Sequence, residues 1–210
     1  MQLVGKLIIK SKERIIHFLN EENTGRISSI DKNGFPQIIP MNFVFLNNSV
    51  YMHSHIRGEK IENIKRNSKV GFEVDRSLEF LPSYFSDPED ASLADTLYIS
   101  VIIKGEANLV EDKKEKVLAL NGLMKKYQPE GRYNPLREDM DVLDATAVIK
   151  VIPKEMNGKY KIGQNLSKHE KMELAIKIID KNSKTAKETV EIMGFMIEDG
   201  KLVMKGDVEW

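Results

Sequence analysis

Residues 50–75, VYMHSHIRGEKIENIKRNSKVGFEVD, constrain this chain more than any other stretch. They read as a strand, a short polar loop, an amphipathic helix of about two turns and a second strand. The loop gathers His53, Ser54, His55, Arg57, Gly58 and Lys60 within eight positions. Imidazole, hydroxyl, guanidinium, ammonium and backbone N–H groups thus converge at a helix N-terminus, where the macrodipole also favours an anion. A phosphate is the natural occupant. Gly58 admits a close backbone approach, and Lys60 lies just inside the helix, where its ammonium can curl back towards a ligand. The plainer reading of the same residues is a strand, a turn and a solvated basic helix, which many folds contain.

What surrounds this segment predicts a β-rich domain. A helix is expected from Ser11 to Asn20, with Ile15, Ile16, Phe18 and Leu19 inward. Residues 25–30 and 35–39 flank Asp31-Lys32-Asn33-Gly34, a hairpin signal, and residues 42–46 and 49–54 flank Asn47-Asn48. Pro40 marks an edge or a bulge. Residues 76–95 read as a long connection, 96–110 as a β-stretch interrupted by Gly105, and Asp112 as the cap of a helix to Tyr127 with Val117, Leu118, Leu120, Leu123 and Met124 on one face. After a polar loop over 128–141, residues 146–152 form a last strand. Beyond Pro153 the character changes. Ser167-Lys168-His169-Glu170 is a capping box for a helix burying Met172, Ala175, Ile176 and Ile179, and a second helix follows over 185–193. Five or six antiparallel strands with a few helices suit a closed or partly closed barrel, which removes exposed strand edges. The expected division is a barrel over 1–155 and a helical extension over 156–210.

Bulk properties narrow the function classes. The chain has 210 residues, with 32 Lys plus Arg against 32 Asp plus Glu, so nucleic acids and anionic membranes are not expected partners. Cysteine is absent, which removes disulfides, thiolate catalysis and cysteine-ligated metal centres. No apolar run could span a bilayer, and MQLVGKLIIKSKER is too short and charged for a signal peptide, so a cytoplasmic location is the expectation. His53 and His55 share one side of a strand, but no third ligand is evident and no metal is expected. No Gly-x-Ser-x-Gly elbow, Walker loop or dinucleotide fingerprint occurs.

The order Tyr51-Met52-His53-Ser54, Gly58, Lys60, an Ile61–Ile64 helix face, Asn67 and Val70–Phe72 resembles the flavin-binding segment of the pyridoxamine 5'-phosphate oxidase-like superfamily. It is most similar to the branch that includes nitroimidazole-resistance proteins. Further segments extend the likeness over roughly residues 10–165: Ile39-Pro40-Met41-Asn42-Phe43, Pro82-Ser83-Tyr84-Phe85, Tyr98-Ile99-Ser100-Val101 up to Gly105, and Gly158 to Asn165. Glu59 departs from the pattern, standing where the family usually has arginine, with Arg57 as the substitute.

The resemblance implies a mainly β, α+β fold: an antiparallel FMN-binding split β-barrel. It implies a homodimer with FMN between subunits and the phosphate at Ser54, His55, Arg57 and Lys60. Met41, Asn42 and Phe43 would bracket the flavin ring, and His53 would stand beside it in a reactive role. Tyr98 and Ser100 would come from the neighbouring chain, Gln164 and Asn165 would touch phosphate or substrate, and Tyr84 and Phe85 would form a lid. Alternatives stand beside several of these: Asn42 as a bulge cap, His53 as a packed imidazole, and Gln164-Asn165 as a polar turn before the Ser167 cap. The implied activity is FMN-dependent oxidoreduction of small aromatic, nitroaromatic or quinone-like acceptors. The rival is a non-catalytic flavin- or haem-binding module for storage, sensing or regulation.

Overall fold

The computed structural model describes residues 5–205, without the side chain of Lys6. Residues 1–4, the start of the stretch weighed above as a targeting signal, lie outside the described residues. The fold is an α+β split barrel, built on a mostly antiparallel sheet curled into a half-barrel with several helices. In chain order it runs β1 (Ile8–Ile9), α1 (Lys12–Glu21), β2 (Gly25–Ile30), β3 (Pro36–Met41), β4 (Val44–Leu46), β5 (Ser49–His55), α2 (Glu59–Arg66) and β6 (Lys69–Leu81). There follow β7 (Asp95–Leu109), α3 (Lys113–Tyr127), α4 (Val142–Ala145), β8 (Thr146–Lys161), α5 (Lys168–Lys181), α6 (Ala186–Ile192), β9 (Phe195–Glu198) and β10 (Lys201–Met204). The main sheet has the order β3-β2-β6-β7-β8-β5-β4, with β1 on β8, and β9 and β10 pair separately.

The chain divides into two compact units. One comprises residues 13–74 and 101–157; the other comprises 1–12, 75–100 and 158–210. The first begins from local turn chemistry. Asp31 Oδ1 accepts the N–H groups of Asn33 and Phe35 at 2.8 Å each, and Gly34 takes φ 90°, closing the β2–β3 hairpin. Asn47 and Asn48 have φ 49° and 57°, the left-handed pair that a two-residue β4–β5 turn requires. Pro40 lies in β3, the terminal strand of the sheet, where a missing N–H costs no ladder bond on the open side.

Asp112 caps α3 by accepting the Lys114 N–H at 2.9 Å. The helix buries Ala119, Leu120 and Leu123 with Val44, Tyr51, Leu143 and Val148. Each large apolar side chain so buried contributes about 1.5–3 kcal/mol. Leu118, expected inward, is exposed, because the buried stripe is narrower than its apolar sequence suggests. A second packing centre sets the Phe43 ring edge-on to Phe72, centroids 5.1 Å apart.

The long strands run further than their turn-forming residues predict. Residues 76–81, expected in a loop, continue β6, and β7 runs unbroken through Gly105. A Cβ at Gly105 would lie 2.6 Å from the Ile152 carbonyl oxygen, so this glycine permits close strand approach rather than ending the strand. Likewise β8 continues through Pro153 to Lys161. Its partner β5 covers Thr146–Val151 and β1 covers Gly158–Lys159, so Pro153 falls between the two pairings.

In the other unit, Ser167 forms the expected capping box with Glu170. The buried residues of α5 are Lys171, Ala175 and Ile178; of the four expected inward, Ala175 is buried, Met172 and Ile179 are half-buried and Ile176 is exposed. Glu79 of β6 meets the C-terminal end of that helix. Its buried carboxylate accepts Lys181 Nζ at 2.6 Å and Thr185 Oγ1 at 2.8 Å, and also the Ser183 hydroxyl, anchoring the turn between α5 and α6. No described helix is long and apolar enough to cross a membrane.

Candidate functional site

The site expected from the sequence falls into two groups. Met41, Asn42, Phe43, His53, Ser54, His55, Arg57 and Lys60 belong to the unit formed by residues 13–74 and 101–157. Tyr84, Phe85, Tyr98, Ser100, Gln164 and Asn165 belong to the other unit.

In the first group the helix α2 N-terminus is open. Gly58, its N-cap residue, takes φ 140° and supplies no side-chain cap, and a Cβ built there would meet nothing within 4 Å. A side chain would be disfavoured by that backbone conformation, leaving the helix end approachable. Within the first turn, Lys60 is half-buried and its ammonium reaches Met41 Sδ at 3.2 Å. A thioether is a weak acceptor and carries no charge. Burial lowers the Lys60 pKa below the ordinary lysine value, and no described carboxylate pairs with it. A half-buried cation beside an uncapped helix N-terminus is an arrangement that an anion would complete. Arg57, exposed, has its backbone N–H held by His55 Nδ1 at 3.1 Å.

Glu59, the departure from the family pattern, is engaged away from this ammonium. Its carboxylate accepts Gln37 Nε2 at 2.6 Å. Gln37 in turn accepts from Asn63 Nδ2 at 3.2 Å, Asn63 Oδ1 accepts from Arg66 at 2.7 Å, and Arg66 also donates to the Ile30 carbonyl at 2.9 Å. This network fixes α2 on β2 and β3. Asn63 was missed in the sequence reading. Its position between Ile61 and Ile64, on the apolar face of a short helix, was the available signal.

Strand alternation separates the three β5 side chains. His53 and His55 are exposed and share the Tyr51 side, while Ser54 lies on the Met52 side. Beside His53 on that strand, Tyr51 Oη donates to Glu115 at 2.7 Å, and Lys150 Nζ donates to the same oxygen at 2.6 Å. Burial and the Glu115 bond raise the Tyr51 pKa, and the Lys150 bond lowers that of Glu115. This triad spans β5, α3 and β8, so no local pattern announced it.

Met41 meets Lys60, Asn42 is exposed and Phe43 is fully buried. Tyr127 Oη accepts the Phe43 N–H at 2.8 Å and lies 3.1 Å from the Phe43 carbonyl. Lys126 Nζ sits 3.8 Å from the centre of the Phe43 ring and donates to the Leu19 carbonyl at 2.9 Å. Burial pushes its pKa down to about 8, against the opposing pull of Glu22.

In the other unit, Lys159 Nζ stands 5.3 Å from the Tyr98 ring centre, and Ser100 is half-buried. Gln164 closes its own turn, accepting the Ile162 N–H at 3.0 Å and donating to the Tyr160 carbonyl at 3.2 Å. Tyr84 is exposed and packs edge-on to Phe85, with centroids 5.5 Å apart. Phe85 and Asn165 line a cavity of about 350 Å³. No cluster of metal-ligating side chains occurs among the described residues.

Comparison with known proteins adds context to this geometry. The profile of a family described as pyridoxamine 5'-phosphate oxidase matches residues 11–160. No curated protein matches the chain. Among solved structures, a candidate 5-nitroimidazole antibiotic resistance protein of Bacteroides thetaiotaomicron aligns with a TM-score of 0.62 at 25% identity, covering 73% of this chain and 86% of that one. The flavocytochrome Anf3 of Azotobacter vinelandii aligns with a TM-score of 0.65 at 18% identity, covering 77% and 72%. An FAD- and haem-binding protein of Mycobacterium smegmatis aligns at 0.60 and 18%, covering 72% and 71%. The last two likenesses concern the fold alone.

Proposed function

The chain belongs to the pyridoxamine 5'-phosphate oxidase family, and on that premise we propose that it binds FMN and serves as an oxidoreductase of small nitroaromatic or quinone-like acceptors. The observation that carries the flavin reading is Lys60, a half-buried ammonium with a thioether contact and no described carboxylate partner, beside the uncapped end of α2. Lys60 would neutralise the phosphate, the first backbone N–H groups of α2 would donate to it, and Arg57 would close over its exposed side. Ser54 and His55 complete the proposed phosphate set. Met41 and Asn42 would flank the ring, and the buried Phe43 would hold that segment in place through Tyr127 and Phe72. FMN when bound would supply hydride or electron transfer, which side chains alone do not provide.

His53 is exposed with no described hydrogen-bond partner, and is proposed to face the acceptor and deliver or take a proton. Tyr98 and Ser100 are proposed to reach the cofactor of a neighbouring subunit in a homodimer. The 25% identity to a protein described for 5-nitroimidazole resistance supports the acceptor class.

Non-catalytic flavin or haem binding is the second reading. It is favoured by Glu59, whose negative charge beside the phosphate turn weakens retention of an anionic cofactor even while Gln37 holds it aside. NAD(P)H-driven reduction of a nitroaromatic by the FMN-loaded protein separates the two. Turnover that falls at least about tenfold in His53→Ala, with FMN still retained, supports the enzyme. FMN retention without turnover supports the binding module.

A further inference from the structure

The cavity that includes Phe85 and Asn165 is not accounted for by the proposed phosphate site. It lies wholly within the unit formed by 1–12, 75–100 and 158–210, and more than half of its lining, from Lys161 to Lys177, follows residue 160, where the family match ends. At about 350 Å³ it falls at the small end of the range for ligand sites, about 300–1,000 Å³. Leu81, Leu97 and Leu174 give it an apolar wall.

Its charged groups are unequally engaged. Lys161 donates to Asp95, and Lys177 donates to the Phe85 carbonyl, clasping the Ser83–Phe85 turn to α5. Glu170 commits Oε2 to the Ser167 N–H at 2.8 Å, and Glu173 shares its exposed carboxylate with His169 at 3.4 Å. Glu170, Glu173, Leu174 and Lys177 recur at helical spacing on one side of α5, so the rim carries two carboxylates beside the apolar wall. With Asp95 and Lys161 compensating each other, those carboxylates outnumber the one remaining ammonium.

We infer that this cavity is a second small-molecule site, built largely by the C-terminal segment, for a compact apolar molecule bearing a protonated amine. The apolar body would sit against Leu81, Leu97 and Leu174, and the ammonium at the Glu170–Glu173 rim. None of its lining residues belongs to the proposed phosphate set of Ser54, His55, Arg57 and Lys60.

The test uses the full chain, with and without FMN, methyl-labelled at leucine and titrated with phenethylamine, phenylethanol and phenylacetate up to about 10 mM. The amine is expected to shift the Leu81, Leu97 and Leu174 methyls in both forms, binding about threefold to fivefold more tightly than the alcohol, with the acid weakest. Glu173→Gln, at an exposed position, should erase the preference for the amine while leaving alcohol binding unchanged. Leu174→Trp, which fills the cavity, should abolish binding of all three. No shift of those methyls, equal binding of amine and alcohol, or an unchanged preference in Glu173→Gln would each overturn the proposal.

Discussion

Lys60 and Lys126 illustrate how burial acts on one residue type in two settings. Among the described residues Lys60 hydrogen-bonds only a sulfur, and no carboxylate pairs with it. Lys126 sits on an aromatic face and a carbonyl oxygen, both of which favour its charged form, yet burial holds its pKa near 8. The prediction is that Lys126 titrates at about 8 when lysine side chains are followed by NMR; a value near 10.5 would contradict it. Between about 8 and 10.5 the unfolded chain binds the extra proton, so this residue's contribution to stability rises with pH across that window. At this scale the sequence was partly readable. Lys60 and His53 stood out because their neighbours in sequence are also polar. Lys126 and Glu115 did not, because the groups they hydrogen-bond lie more than 30 residues away in sequence.

At the scale of elements, the termini of α2 and α3 and the two hairpins followed from caps and turn residues within four positions of each other. The long strands did not, because a glycine or proline inside a strand is tolerated for reasons lodged in the partner strand. Gly105 is the case in point. The Ile152 carbonyl opposite it belongs to the backbone and cannot rotate away. Gly105→Ala is therefore expected to destabilise by about 1–3 kcal/mol, read from the urea midpoint at unchanged slope. A neutral result would mean that β7 and β8 stand further apart at this point. The α3 stripe gives a second value. Leu123→Ala should cost about 2–5 kcal/mol, whereas the same change at exposed Leu118 should cost under about 1 kcal/mol, judged by the same denaturation.

For the whole molecule, composition and resemblance made the split barrel readable, and the profile match over 11–160 agrees with it. The two-unit division was not readable, since residues 75–100 and 158–210 meet only in three dimensions. One of those meetings has a pH signature. Burial alone would raise the Glu79 carboxyl, but bonds from Lys181, Ser183 and Thr185 outweigh it and hold its pKa below the ordinary 4.5. Its stabilisation is then fully present above 4.5 and is lost as pH falls through the lower folded value. Thermal unfolding of the protein followed against pH should show that loss, and Glu79→Gln should flatten it; identical acid profiles would contradict the assignment.

The central claim, that the α2 N-terminus with Lys60 holds a flavin phosphate, meets its most direct test in one experiment. Visible absorption is recorded after excess FMN is added and the protein is desalted, for the native sequence and for Lys60→Gln. The account predicts flavin bands that persist in the native protein and affinity weakened at least about tenfold in the variant. A native protein that emerges colourless, or a variant that retains FMN equally well, would contradict it.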